Sequence, residues 1–325
     1  MTVREVEHEI TVEAPAAEVY RLIAEVENWP LIFPPSVLVE RVEHTGHEER
    51  IRIWATANGT AKNWTSRRVL DPEALTIAFR QEVSAPPVAA MGGTWIAEAL
   101  SPERTRLRLL HDYRAVGDDP KDLEWIDQAV DRNSRSELAA LKTSVELATG
   151  APDLRLSFED SVEIDGSAKD VYDFLNEADR WCERLPHVAA VDLREETPGL
   201  QVLRMDTRAK DGSSHTTESV RVCFPHHRIV YKQTTLPALM ALHTGYWQLS
   251  EDDRGVTTAT SQHTVIVGTG NIHAILGPDA GVPEARVFLR NALGTNSRAT
   301  LGHAKTYAEA RAQGNSRHSR SGNVQ

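Results

Sequence analysis

Val19-Tyr20-Arg21-Leu22-Ile23-Ala24-Glu25-Val26-Glu27-Asn28-Trp29 returns 152 positions later as Val171-Tyr172-Asp173-Phe174-Leu175-Asn176-Glu177-Ala178-Asp179-Arg180-Trp181. The Val-Tyr pair and the Trp keep their places in both stretches. The same interval of 152 separates Trp95 from Trp247 and His111 from His263. It slips to 153 between Ser66/Arg68 and Ser219/Arg221, and to 163 between Asn133-Ser134-Arg135 and Asn296-Ser297-Arg298. The added length falls in the Gly- and Pro-containing segment 271–282. An ordered series with local slips marks a duplicated unit, and a period this long means two whole domains rather than a solenoid.

Length agrees, since 325 residues suit two domains of about 100–200 residues each. The join falls at Thr149-Gly150-Ala151-Pro152, where Gly then Pro after a helical run signals a stop and an extended entry. The expected domains are 1–150 and 151–314. An Asn/Ser/Arg-rich tail, 315–325, has little to bury and is expected to be disordered. The net charge of −11 argues against nucleic-acid binding, which needs a concentrated positive surface. No run of about 18 apolar residues is present, so no membrane span is expected. The opening Met-Thr-Val-Arg-Glu-Val-Glu-His-Glu is too charged for a secretory leader, so a cytoplasmic location is expected. Cys182 and Cys223 lie outside any CxxC or metal-spaced pattern, so neither a disulfide framework nor a metal site is expected. Met91-Gly92-Gly93 lies between strands and does not open a helix, so no phosphate loop is read there.

Each half repeats one order of elements. In the first, 3–13 alternates like a strand and Pro15 opens a short helix. Period-two segments follow at 37–43, 50–56, 60–70, 75–81, 94–100 and 105–113, and 121–148 reads as a long helix. The second half matches, with strands from 153 to 267 and a closing helix near 283–311. This predicts an α+β fold made by tandem duplication: a curved antiparallel sheet around a long C-terminal helix, with two short helices after the first strand. Incomplete filling between sheet and helix would leave an elongated apolar cavity.

Strand alternation sorts the faces. Leu107, Leu109, His111 and Tyr113 share the inward face, while Arg106, Arg108, Asp112 and Arg114 share the other. Trp64, Ser66 and Arg68 share a face, as do Ser219 and Arg221, and His263 lies with Val265 and Val267. On the long helix, Asn133 is placed in an inward stripe with Ile126, Ala129 and Ala140. Each half thus offers a Ser, an Arg, a His, an Asn and Trp side chains to one pocket. A buried Arg needs an anion or several acceptors; it could anchor a carbonyl-rich ligand, or pair across the sheet with a Glu. Trp29, Phe33, Trp64, Met91 and Trp95 would wall the first pocket, or Trp29 and Trp181 could simply plug the domain ends. His111 and His263 could be core histidines, and Asn133 and Asn296 local hydrogen-bonding residues. The Arg-rich strand 104–114 could be a solvated face or a landing patch for an acidic partner, with Arg132 and Arg135 beside it.

Glu27-Asn28-Trp29-Pro30, Trp64-Thr65-Ser66-Arg67-Arg68, Phe79-Arg80-Gln81-Glu82, Met91-Gly92-Gly93-Thr94-Trp95 and Asn133-Ser134 together resemble the two-domain aromatase/cyclases of bacterial type II polyketide synthases. The resemblance spans roughly 3–313 and includes the duplication. It implies helix-grip domains related to START and Bet v 1-like folds, no metal or organic cofactor, and a poly-β-ketone tethered to an acyl carrier protein as substrate. It also implies other type II synthase subunits as partners, and either aldol closure of a first ring, usually C7 to C12 in two-domain members, or action on a ring already formed, followed by dehydration to an aromatic ring. Carried onto this chain, it gives Arg68 and Arg221 a carbonyl-polarising role and Ser66 and Ser219 a carbonyl or water to hold. His111 and His263 become candidate proton carriers. Trp29, Phe33, Trp64, Met91, Trp95 and Asn133 line the first pocket, and Trp181, His187, His243, Trp247 and Asn296 the second. The second half departs from the pattern: Leu185 replaces Phe33, Thr217 replaces Trp64, and His187 and His243 are added. A rival reading is a non-catalytic START-like carrier of a hydrophobic or aromatic ligand, for which an inward Arg, Ser and Asn in each half have little use.

Overall fold

The structure, a computed structural model, describes residues 3–57, 59–208 and 214–321. The chain divides into two compact units, Met1–Pro152 and Asp153–Gln325. The first carries β1 (Arg4–Val12), α1 (Ala16–Ala24), α2 (Trp29–Ile32), β2 (Ser36–Thr45), β3 (Glu48–Ala57), β4 (Thr60–Asp71), β5 (Thr76–Gln81), β6 (Val88–Ser101), β7 (Arg104–Ala115) and α3 (Pro120–Gly150). The second repeats it with β8 (Arg155–Ile164), α4 (Ala168–Asn176), α5 (Trp181–Arg184), β9 (Val188–Thr197), β10 (Leu200–Arg208), β11 (Ser214–Phe224), β12 (Arg228–Thr235), β13 (Met240–Glu251) and β14 (Thr257–Val267). The segment that carries the added length holds α6 (Ile272–Leu276), and α7 (Val282–Ser321) closes the unit. The seven-stranded sheets have matching orders, β1-β7-β6-β5-β4-β3-β2 and β8-β14-β13-β12-β11-β10-β9, and every pairing is antiparallel. This is the duplicated helix-grip architecture.

Local chemistry fixes the element ends. Pro15 precedes α1, whose Ala16, Val19 and Ile23 form the buried stripe. At the equivalent position Ser167 caps α4, its Oγ accepting from Asp170 N at 3.1 Å. Asp119 caps α3 by accepting from Lys121 N at 2.8 Å, with Pro120 in the first turn. The α3 helix packs on β1 and β7, and α7 on β8 and β14. The first core gathers Val12, Val19, Ile23, Leu107, Leu109, Leu141 and Val145, and the second Val171, Leu175, Leu249, Ala259, Leu301 and Ala304.

Two expectations are corrected. The inward stripe of α3 is Ile126, Val130, Ser134, Leu138, Leu141 and Val145. Asn133 is exposed, as is Asn296 in α7, where Ser297 is the buried neighbour. The stripe expected from Ala129 and Ala140 was rotated by about one residue, because small alanines tolerate either face. The closing helix also runs past Gly314 to Ser321. Adding a residue to an existing helix costs far less than nucleating one, so a polar sequence can continue it. The rest of the expected tail, 322–325, lies outside the described residues.

Candidate active site

One row of paired residues crosses each sheet on the helix-facing side. In the first unit it runs Glu49, Arg68, Phe79, Gly93, His111, Val6. In the second it runs Gln201, Arg221, Tyr231, Gly245, His263, Phe158. Two row members are shared glycines, and their role is steric. A Cβ on Gly93 would lie 2.0 Å from Leu110 O and 2.8 Å from Phe79 Cζ; on Gly245 it would lie 2.1 Å from Gln262 O and 2.7 Å from the Tyr231 hydroxyl. Each glycine therefore makes room for the aromatic ring of the row.

The two arginines repeat one arrangement. Arg68 Nη2 donates to Ile23 O at 3.0 Å, and Arg221 Nη2 to Leu175 O at 2.6 Å. Both acceptors are free carbonyls near the C-terminus of a short helix, where a cation is favoured. Trp29 Nε1 donates to the same Ile23 O at 3.1 Å, and Trp181 Nε1 to Phe174 O at 3.1 Å. The guanidinium carbon lies 5.3 Å from the Trp29 ring centroid and 5.4 Å from that of Trp181, within cation–π range.

Their charge environments differ. Glu49, fully buried, lies 3.3 Å from Arg68 Nη1 and also receives Arg41 Nε at 2.6 Å. This is the cross-sheet Glu that the sequence left open. Burial lowers Arg68 to about 10, partly countered by Glu49, so it stays charged at neutral pH. In the second unit Gln201 takes the place of Glu49 and turns its Nε2 to Glu195 Oε2 at 2.8 Å. Burial again lowers Arg221. Arg221 Nη1, like Arg68 Nε, is buried and makes no hydrogen bond among the described residues.

Similar sequences and structures identify the family. Residues 12–127 and 155–309 each match a family described as polyketide cyclase/dehydrase and lipid transport. The granaticin polyketide synthase bifunctional cyclase/dehydratase of Streptomyces virginiae is 56% identical over 303 residues, spanning 92% of this chain and 98% of that protein. The actinorhodin polyketide synthase bifunctional cyclase/dehydratase of Streptomyces coelicolor is 42% identical over 93% of this chain and 96% of its own length. The chain belongs to the polyketide cyclase/dehydrase family. Crystal structures agree: the di-domain ARO/CYC BexL from the BE-7585A biosynthetic pathway superposes with a TM-score of 0.88 at 69% identity, covering 94% of this chain and 99% of BexL. The di-domain ARO/CYC StfQ from the steffimycin pathway gives 0.85 at 35% identity over 95% and 99%. The chain is thus an enzyme of the polyketide cyclase/dehydratase class with aromatase/cyclase architecture.

The other expected site residues of this cyclase/dehydratase fall into separate groups. Trp29, Phe33 and Trp95 meet, with Phe33 5.3 Å from Trp29 edge-on and 6.3 Å from Trp95. Trp64 packs with Val39, Ile51 and Ile53, and Met91 with Tyr113, Ile126 and Val130. Trp181 and Trp247 share the second core. The Ser66 hydroxyl donates to Arg80 O at 2.9 Å, while Ser219 is half-buried. His111 is half-buried against Phe79, 3.4 Å from Ser134 Oγ, and burial holds it down at about 4. His187 stands apart from His243 and His263, its basicity lowered by burial and by His303. Among the described residues no group of three or more His, Cys, Asp or Glu is placed to hold a metal ion, and no helix is long and apolar enough to cross a membrane.

The Arg-rich outer face of β7 is charge-compensated. Arg104 pairs with Glu13 at 3.2 Å, Arg106 with Glu9, and Arg108 with Glu7 at 2.6 Å and Glu98 at 2.8 Å. Arg135 pairs with Asp131 at 3.0 Å. A basic landing patch is not what this strand presents.

Four groups escaped the sequence reading. Glu49 and Gln201 sit at strand edges, and Tyr231 and Ser261 read as ordinary strand residues. The signal for Glu49 was its alternation with Ile51, Ile53 and Ala55, which puts a carboxylate on an apolar face. The signal for Tyr231 was its spacing of 152 from Phe79. Glu137, one turn beyond Ser134 on α3, is a fifth: it is half-buried, and burial pushes its carboxyl up to about 7.

Proposed function

We propose that this enzyme closes the first ring of a poly-β-ketone chain, joining C7 to C12, and dehydrates it to an aromatic ring. The chain is carried on an acyl carrier protein of a cytoplasmic type II synthase, and the other synthase subunits are its partners. The observation that carries the reading is the arginine on the helix-facing row of each unit, charged, buried and with a donor not spent on the protein.

A flexible polyketone has many aldol outcomes, so catalysis consists first in restricting conformers to a near-attack fold. Trp29, Phe33, Trp64, Met91 and Trp95 supply flat walls for this in the first unit, and Trp181 and Trp247 in the second, with Asn133 and Asn296 at the exposed flank of each helix. The arginine then stabilises enolate or alkoxide charge as it develops, in surroundings where such a donor counts for more than in water. Arg221, with Gln201 in place of a carboxylate, has more charge to offer than Arg68, whose Glu49 offsets it. Ser66 and Ser219 orient a carbonyl or a water beside the arginine. The α-protons flanked by two carbonyls are already acidic, so a weak carrier suffices; neutral His111 and His263 are suited to it.

The test is reconstitution with a minimal synthase, with and without a ketoreductase, comparing wild type, Arg68→Ala and Arg221→Ala. Wild type should shift products to a C7–C12 aromatic ring, assigned by NMR, and the arginine variants should return to the spontaneous mixture. A protein that binds the chain but leaves the product pattern untouched would refute the reading and leave a ligand carrier.

A further inference from the structure

The second unit holds a chain of buried hydrogen bonds that has no counterpart among the described residues of the first. Gln233 Oε1 lies 2.9 Å from His243 Nδ1, His243 Nε2 lies 3.0 Å from His263 Nδ1, and His263 Nε2 lies 3.1 Å from Ser261 Oγ. The Tyr231 hydroxyl joins at the middle, 2.9 Å from His263 Nδ1 and 3.4 Å from His243 Nε2. The imidazoles are stacked, 5.2 Å apart, and Phe158 stacks on His263 at 5.0 Å. The equivalent positions of the first unit hold Gln81, Met91, His111, Leu109 and Phe79. Three apolar residues have become Tyr, His and Ser, and all three replacements meet in one network.

Proton bookkeeping gives this network its meaning. With Gln233 accepting, His243 carries its proton on Nδ1 and accepts at Nε2; His263 carries its proton on Nδ1 and accepts from Ser261 at Nε2. Turning the Gln233 amide and the Ser261 hydroxyl reverses every donor and acceptor with the same number of protons. Both imidazoles are neutral in either arrangement. Burial agrees, lowering His243 to about 3 and His263 to about 4, and raising the Tyr231 phenol, which stays protonated. The chain can therefore accept a proton at one point and release one at another. Tyr231 as a residue is 9% exposed, against 3% for His243 and 4% for His263, and its hydroxyl sits between the two imidazoles, 3.5 Å from Gln262 O.

We propose that the second unit performs the dehydration, with Tyr231 as the proton donor to the departing hydroxyl and the His243–His263 pair as the base that serves it. This rests on the cyclase/dehydratase reading above and assigns one of its steps. With the His263 Nδ1 proton turned to the Tyr231 oxygen, 2.9 Å away, the His243 Nε2 lone pair is free; a β-hydroxy ketone loses its α-proton to it, and the C–H electron pair becomes the new C=C bond. The C–O bond breaks, its pair stays on oxygen, and that oxygen takes the phenolic proton and leaves as water. The imidazolium then returns a proton to the phenolate, directly or through His263. One C–H and one C–O bond are lost, one C=C bond and one water are formed, and the side chains end as they began. No oxidant, reductant or co-reactant is needed.

The first unit supplies the test variants, since Phe79 and Met91 already occupy these places in the same fold. Wild type, Tyr231→Phe, His243→Met and the double variant are reconstituted with a minimal synthase. Products are followed by mass and kinetics, and folding is checked by thermal melting. Folded variants should close the ring but lose dehydration by about 100-fold or more in kcat, with KM for the carrier-bound chain little changed, and should accumulate a cyclised product heavier by one water. Dehydration at the wild-type rate in folded Tyr231→Phe would overturn this assignment alone. Loss of ring closure together with a large rise in KM would also overturn it, by showing a packing role. Wild type that leaves the spontaneous mixture unchanged would overturn the underlying reading as well.

Discussion

Glu49 stands directly across β3 and β4 from Arg68, its Oε1 3.3 Å from the guanidinium Nη1. Removing one partner of a buried pair leaves the other charge uncompensated, which typically costs about 3–5 kcal/mol. Glu49→Gln keeps the shape and removes the charge, so it should destabilise the first unit by that order in denaturant titration. The second unit already carries the neutral version, Gln201 opposite Arg221. Gln201→Glu should lower turnover by adding a carboxylate opposite Arg221 to the attraction of Glu195, and should cost stability where the new carboxylate meets Glu195.

Gly93→Ala and Gly245→Ala should each be poorly tolerated. The new methyl would meet a neighbouring strand's carbonyl oxygen at 2.0 Å and 2.1 Å, and backbone held in a ladder cannot retreat as a side-chain end can. A loss of about 3 kcal/mol is expected, seen as a lower denaturant midpoint with an unchanged slope.

Acid should weaken the second unit. Burial depresses His243 to about 3 and His263 to about 4, with Asp160 raising and Arg290 lowering the latter, while Tyr231 faces both without titrating in this range. The unfolded chain binds more protons between about 6.5 and these values, so stability rises with pH there. It is fully present above about 6.5 and is lost as pH falls toward 3–4. His243→Met should flatten that slope in urea midpoints measured from pH 7 to pH 4.

Glu137 gives the opposite sign. Its carboxyl is raised to about 7 from an ordinary 4.5, so the folded state holds a proton that the unfolded chain releases. That contribution is complete below about 4.5 and disappears as pH rises through 7. Glu137→Gln should remove the decline, and the difference between variant and wild-type midpoints should grow with pH from 5 to 8.

The duplication, the element order and the antiparallel sheet were legible because they rest on spacing and on period two, which survive without tertiary information. The arginine row was half legible. Alternation put Arg68 and Arg221 inward, but whether an acid met them depended on register, and Glu49 lay one residue before the strand expected at 50–56. The face of Asn133 was misread because helix periodicity is averaged over many residues, and alanines at 129 and 140 carry little weight. The Tyr231, His243, His263 and Ser261 cluster was visible only in pieces. Three strands contribute to it, and nothing local says that their side chains converge.

Gly93 and Gly245 leave a gap in which one ring must lie, and that ring is Phe79 in one unit and Tyr231 in the other. The two differ by a single oxygen atom, so the exchange adds a hydroxyl without asking any neighbour to move. A duplicated enzyme with such a slot can change the chemistry of one copy while the other keeps the old shape, and can do so one substitution at a time without passing through an unfolded ancestor.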